Sequence, residues 1–96
     1  MKRLLGKQTP DECVERVIAR VRELRNAHGY SAEDFATHCR ARGLDISRNT
    51  IANIETGRRS DLTLREVLVF ADVFGVSVLD LADARQLKVT VRQVCV

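Results

Sequence analysis

Ser47-Arg48-Asn49-Thr50-Ile51-Ala52-Asn53-Ile54-Glu55-Thr56-Gly57-Arg58-Arg59 is the stretch on which the reading of this chain turns. Ser47 has the chemistry of a helix cap, because its hydroxyl accepts a backbone N–H that the first turn leaves unpaired. Ile46 precedes it and Ile51 follows it by four residues, the spacing of a hydrophobic staple. Ile51 and Ile54 turn inward and leave Arg48, Asn49, Thr50 and Asn53 on the outer side. Gly57 stops the helix after barely three turns, and Arg58 and Arg59 follow. Polar residues on a helix face are usually only solvated, so the neighbouring segments must decide what this face is for.

Those segments also read as helices. Thr9-Pro10-Asp11-Glu12 joins a capping threonine, a proline at the first helical position and a glutamate three residues after the cap. Val14, Val17, Ile18, Val21 and Leu24 follow as an amphipathic stripe, and His28-Gly29 ends it. Ser31 caps a second helix with Ala32, Phe35, Ala36 and Cys39 inward, and Gly43 is its left-handed stop. Thr63-Leu64-Arg65-Glu66 is a capping box. It opens a fourth helix carried by Leu64, Val67, Leu68, Ala71 and Phe74 and ended by Gly75. Ser77-Val78-Leu79-Asp80 starts a short fifth helix that runs to about Asp83.

The tail has a different period. Leu87, Val89 and Val91 alternate with Lys88, Thr90 and Arg92, the pattern of a β-strand. A lone strand in a helical domain leaves its backbone groups unpaired. Three readings follow: pairing with the same strand of a second subunit, a loose end, or a dimer made by the fifth helix instead. The expected organisation is a domain over residues 1–84 and a tail over 85–96.

Ninety-six residues, 45% hydrophobic and 30% charged, suit one small globular domain. Aromatics are only 4%, so an aliphatic core is expected. No apolar run is long enough to cross a membrane, and Met1-Lys2-Arg3-Leu4-Leu5-Gly6 lacks the apolar region of a signal peptide, so the expected location is cytoplasmic. Net charge is +3, with seven basic and four acidic side chains in residues 1–30 and five and four in residues 31–60. That balance suits nucleic acid without requiring it.

Catalytic chemistry finds little support. Cys13, Cys39 and Cys95 are an odd, widely spaced set and no disulfide framework. His38 and Cys39 are adjacent, so on a helix they point apart and do not share a metal. Asp11, Glu12 and Glu15 are expected as dipole partners and a solvated face. No cofactor, metal ligand or catalytic residue is expected, and the chain does not read as an enzyme.

Five helices with the second and third joined by a turn form an all-α bundle containing a helix-turn-helix. The Ser47–Arg59 stretch resembles the recognition-helix signature of Cro and lambda-repressor-like (Xre-type) domains, which commonly run Ser-x-x-Thr-Ile-x-x-Ile-Glu-x-Gly-x-Arg. Leu68-Val69-Phe70-Ala71-Asp72-Val73-Phe74-Gly75-Val76-Ser77-Val78-Leu79-Asp80-Leu81 is similar to the closing segment of the same family. The likeness covers about residues 14–83. One departure stands out: the family commonly passes to the recognition helix through a short Gly-x-Ser turn. Here Arg40 to Asp45 are added, which reads as an extra turn on the second helix.

The resemblance implies a sequence-specific regulator of transcription on double-stranded DNA. Expected are a repressor, two subunits and a pseudo-palindromic operator. Arg48, Asn49 and Asn53 are the candidate base contacts, arginine for guanine and asparagine for adenine. Thr50 is placed either to offer its methyl to thymine or only to support the cap. Ser47, Thr56, Gly57, Arg58 and Arg59 are the candidate backbone contacts. Glu55 is implied to pair with Arg25 and tie the recognition helix to the first helix. The alternative function is an antitoxin that binds a toxin partner and represses its own operon.

Overall fold

A computed structural model describes residues 9–82, and the tail strand expected after residue 85 lies outside them. Five helices follow in order, α1 (Pro10–Ala27), α2 (Ala32–Ala41), α3 (Arg48–Glu55), α4 (Leu64–Phe74) and α5 (Val78–Ala82), with no strand among the described residues. The fold is a compact all-α bundle. α1 packs on α3, α4 and α5, and α2 packs on α3 and α4.

Local sequence sets the helix starts. Thr9, Ser31 and Thr63 each accept the amide three residues on, and Glu12, Asp34 and Glu66 return a bond to the cap amide. These reciprocal bonds satisfy donors that the first turn leaves open. The bonds from Ser31 also hold the Asp34 carboxyl below the usual carboxylate range.

The core departs from the sequence reading in composition. All three phenylalanines are fully buried and meet at its centre. The ring of Phe35 lies 5.1 Å from Phe70 and 5.0 Å from Phe74. A low aromatic count therefore did not mean an aliphatic core, because the few rings present converge. Val17, Val21, Leu24, Ile51, Ile54 and Leu81 surround them. Cys39 is fully enclosed, and burial pushes its thiol up to about 12, so it behaves as a small apolar residue. Cys13 is half-buried against the core.

α4 is rotated from its expected phase. Phe70, Ala71 and Phe74 face inward with Glu66, and Val67 is half-buried, whereas Leu64 and Leu68 are 70% and 51% exposed. This helix is apolar on nearly every side, so periodicity alone selects no inner face. The stacking of Phe70 and Phe74 on Phe35 sets the phase, together with the bonds that Glu66 makes at the helix start.

The extra residues between α2 and α3 do not all lengthen α2. Arg40 and Ala41 complete it; Arg42 is the cap, and Gly43 takes a left-handed φ of 88°. A Cβ at Gly43 would meet nothing within 4 Å, so the demand for glycine here is conformational. Leu44 and Ile46 are then buried while Asp45 is exposed, which makes residues 44–46 an alternating connector that adds to the core. Helix continuation would have exposed at least one of the two apolar residues. Arg40 on α2 holds the connector in place, and the cap residue Arg42 braces the end of α2. Arg40 donates to the Ile46 carbonyl at 2.9 Å and to Glu33 at 2.8 Å. Arg42 donates to the His38 carbonyl at 2.9 Å and to Asp72 on α4 at 2.7 Å.

Candidate nucleic-acid interface

α3 is anchored at its start, along its inner side and at its end. Ser47 Oγ accepts the Thr50 amide at 3.2 Å and lies 3.1 Å from Thr50 Oγ1. Ile46, Ile51 and Ile54 are buried in one core, so the staple spacing corresponds to shared packing. Glu55, the last residue of α3, accepts two bonds from Arg25, from Nε at 2.7 Å and Nη2 at 2.8 Å. The remaining Arg25 nitrogen, Nη1, donates to the Tyr30 carbonyl at 2.8 Å. One guanidinium thus joins α1, the α1–α2 turn and the recognition helix.

Exposed along α3 are Arg48, Asn49, Ala52, Asn53 and Thr56, which share one side at 100° per residue. The side chains of Arg48, Asn49 and Asn53 make no hydrogen bond among the described residues. Thr50 is half-buried, and its hydroxyl is turned toward the cap. Ala52 was passed over in the sequence because it has no polar group. Around the exposed side it lies between Arg48 and Asn49, which makes it the low point between their longer side chains. The signal was a small residue at i+4 from Arg48, legible only once the exposed side is known.

Past α3 the chain turns through Gly57, with φ of 85°. Here the loop's own bonds use several donors. Thr56 donates its amide and its hydroxyl to the Ala52 carbonyl at 3.0 and 2.8 Å. Gly57 donates to the Ile54 carbonyl at 3.3 Å, and the Arg59 amide donates to Asn53 at 3.1 Å. The two arginines separate. Arg58 is exposed and has no side-chain partner among the described residues. Arg59 lies in a two-bond pair with Glu66, both contacts at 2.7 Å. Burial alone would raise the Glu66 carboxyl, but Arg59 and the Thr63 amide outweigh it and hold it below the usual carboxylate range. Glu66 was visible in the sequence as a capping residue; its second task of fixing the loop was not.

Charge around this helix is uneven. The first turns of α1, α2, α4 and α5 carry acidic residues, and that of α3 carries none. The positive end of its dipole is therefore left open beside Arg48. On the other flank of the 54–61 segment, an open groove against α1 has Asp11, Glu15, Glu55 and Asp61 among its lining residues, with Arg22 as the one basic group. The domain thus presents a cationic polar side at α3 and an anionic side at the start of α1.

A family model described as a helix-turn-helix domain matches residues 19–84, which is more than half of the chain. The chain belongs to this helix-turn-helix family, a DNA-binding class, and the match is consistent with the Cro and lambda-repressor-like resemblance of its recognition segment. No curated protein and no solved structure matches the chain. Among the described residues, no helix is long and apolar enough to cross a membrane, and no cluster of His, Cys, Asp and Glu has the makings of a metal site.

Proposed function

We propose that the chain is a sequence-specific transcriptional regulator that acts in the cytoplasm as a repressor. Two copies read a pseudo-palindromic operator on double-stranded DNA, and repression follows from occlusion of a promoter. One observation carries this reading: α3 is held on three sides, yet its outer side offers Arg48, Asn49 and Asn53 without internal partners. Sequence reading in the major groove requires rigid placement of such free donors and acceptors. Arginine pairs bidentately with guanine and asparagine with adenine, while the Ala52 methyl suits the methyl of thymine. Arg58 continues along the phosphate backbone, where a permanent charge fixes register without reading sequence. The work of the domain is binding, not bond-making.

Selection of bound duplexes from a random library tests the proposal directly. A two-fold-related consensus is expected, with half-sites separated by about one helical turn, roughly 34 Å. Recovery of random sequence at every salt concentration would overturn it.

A further inference from the structure

Leu64 and Leu68 lie open on the outer side of α4, one turn apart, and line a shallow depression with Arg65 and Val69. Asp72 is two turns on from Leu64 and is also exposed. At 100° per residue, Leu64, Leu68, Asp72, Arg65 and Val69 occupy one continuous side, opposite the buried Phe70, Ala71 and Phe74. Two large apolar side chains open one turn apart and rimmed by Arg65 and Asp72 have the make-up of an interaction surface.

The charges on the face name its occupant. Arg65 and Asp72 carry opposite charge and stand at equal distances along the chain from a point just past Leu68. A two-fold axis there sets two copies of α4 antiparallel. Leu68 then meets Leu68 of the other copy, and Arg65 of each copy meets Asp72 of the other. Self-complementarity of this kind is what an isologous contact requires. Arg65 has no internal partner among the described residues. Asp72 gives one oxygen to Arg42 at 2.7 Å, and its side chain is 72% exposed, which leaves the other oxygen free for a second cation.

We infer that the outer side of α4 is the self-association surface, and that its partner is a second copy of this chain. This inference deepens the two-subunit reading above and rests on it for its use, but its test needs no DNA. The contact is one helix wide, well short of a standard interface of about 800 Å² per partner. Association is therefore weak and concentration-dependent in free solution, and it is strengthened when both copies sit on adjacent half-sites.

Sedimentation of the full chain across a concentration series, without DNA, reads the dimer directly. The parent is expected to pass from monomer to dimer, and Leu68→Glu is expected to raise the dissociation constant at least about 30-fold, the scale of a lost anchor residue. Both leucines are exposed, so a matched thermal melt should show the fold intact. Charge reversal is the sharper arm. R65D and D72R, each alone, place like charges opposite one another and should be monomeric; D72R also opens the Arg42 bridge, so the same melt must show it folded. Mixed in equal amounts, they place opposite charges together and should form a mixed dimer of near-parental strength. A parent that stays monomeric, an L68E variant that dimerises like the parent, or a mixture that does not recover would each overturn the inference. Half-site duplex binding by the same variants keeps the two readings apart. Intact half-site binding with failed dimerisation rules leaves the DNA reading standing, and lost half-site binding by a folded parent strikes that reading alone.

Discussion

Removal of Glu55 or Arg25 tests how much of the hold on the recognition helix comes from the ion pair at its end. The carboxylate and guanidinium meet at 2.7 and 2.8 Å, with side chains 9% and 16% exposed. Pairs this enclosed differ from surface bridges, which contribute little. Arg25→Ala leaves a nearly enclosed carboxylate with no cation and strips the Tyr30 carbonyl of its donor. Breaking one side of a buried pair costs about 3–5 kcal/mol, and the residual exposure places this site at about 3 kcal/mol. Glu55→Ala leaves Arg25 with the Tyr30 carbonyl and partial access to water, so a smaller loss of about 2 kcal/mol is expected. The double variant buries no stranded charge and should lose about 3 kcal/mol, against about 5 kcal/mol for the singles added together. Urea denaturation of all four proteins measures the cycle, with coupling of about 2 kcal/mol as the expected value. Additivity within about 0.5 kcal/mol would refute the reasoning, because it would mean that neither group suffers from loss of the other.

Further outcomes follow from the same geometry. Arg48→Ala, Asn49→Ala and Asn53→Ala should each reduce discrimination between specific and random duplexes by about 1–3 kcal/mol in competition titrations, with stability unchanged because none has an internal partner. Arg58→Ala should weaken all sequences alike and lower the salt slope by about one unit, without changing the denaturation midpoint. Arg59→Ala should instead shift that midpoint downward, since it strands the buried Glu66. Glu66 has a depressed folded-state value, so below the ordinary glutamate range the unfolded chain binds the proton more readily than the folded one. Stability from this group is present above that range and falls away as pH drops through the folded value; Glu66→Gln should flatten the acid limb of a stability–pH profile.

Much of the fold could be read in the chain because caps and stops are local. Thr9, Ser31, Ser47 and Thr63 each announce a helix through chemistry confined to three residues, and all four cap in the structure. Gly43 and Gly57 were readable for the same reason, since a left-handed stop depends on one residue. What was hidden depends on the third dimension. The phase of α4 is decided by the one ring contributed from α2, that of Phe35, so the leucines that look most core-like in sequence lie outside. The stop at Gly43 was legible, but the burial of the connector after it was not, because nothing local shows that Leu44 and Ile46 would both find the core. Arg58 and Arg59 were equal in sequence, and only the approach of α4 tells them apart.

That last distinction carries a wider consequence for the interface. Net charge counts every arginine alike, but a guanidinium locked to a carboxylate presents little field to a distant anion. Arg25, Arg42 and Arg59 are each closed by an acidic partner at 2.7 Å. They act as struts, joining α1 to α3, the end of α2 to α4, and the loop after α3 to α4. Arg48 and Arg58 stand at the two ends of α3 with no such partner among the described residues. The modest total of +3 therefore understates the local attraction, because the struts neutralise themselves while Arg48 and Arg58 stay open beside the recognition helix. The same arrangement separates the tasks of holding and binding. Variants of the struts should change stability first, whereas variants of the open pair should change affinity with the fold untouched. A strut variant whose affinity falls with no loss of stability would contradict that division of labour, and paired denaturation and binding measurements on Arg25→Ala and Arg48→Ala set the two behaviours side by side.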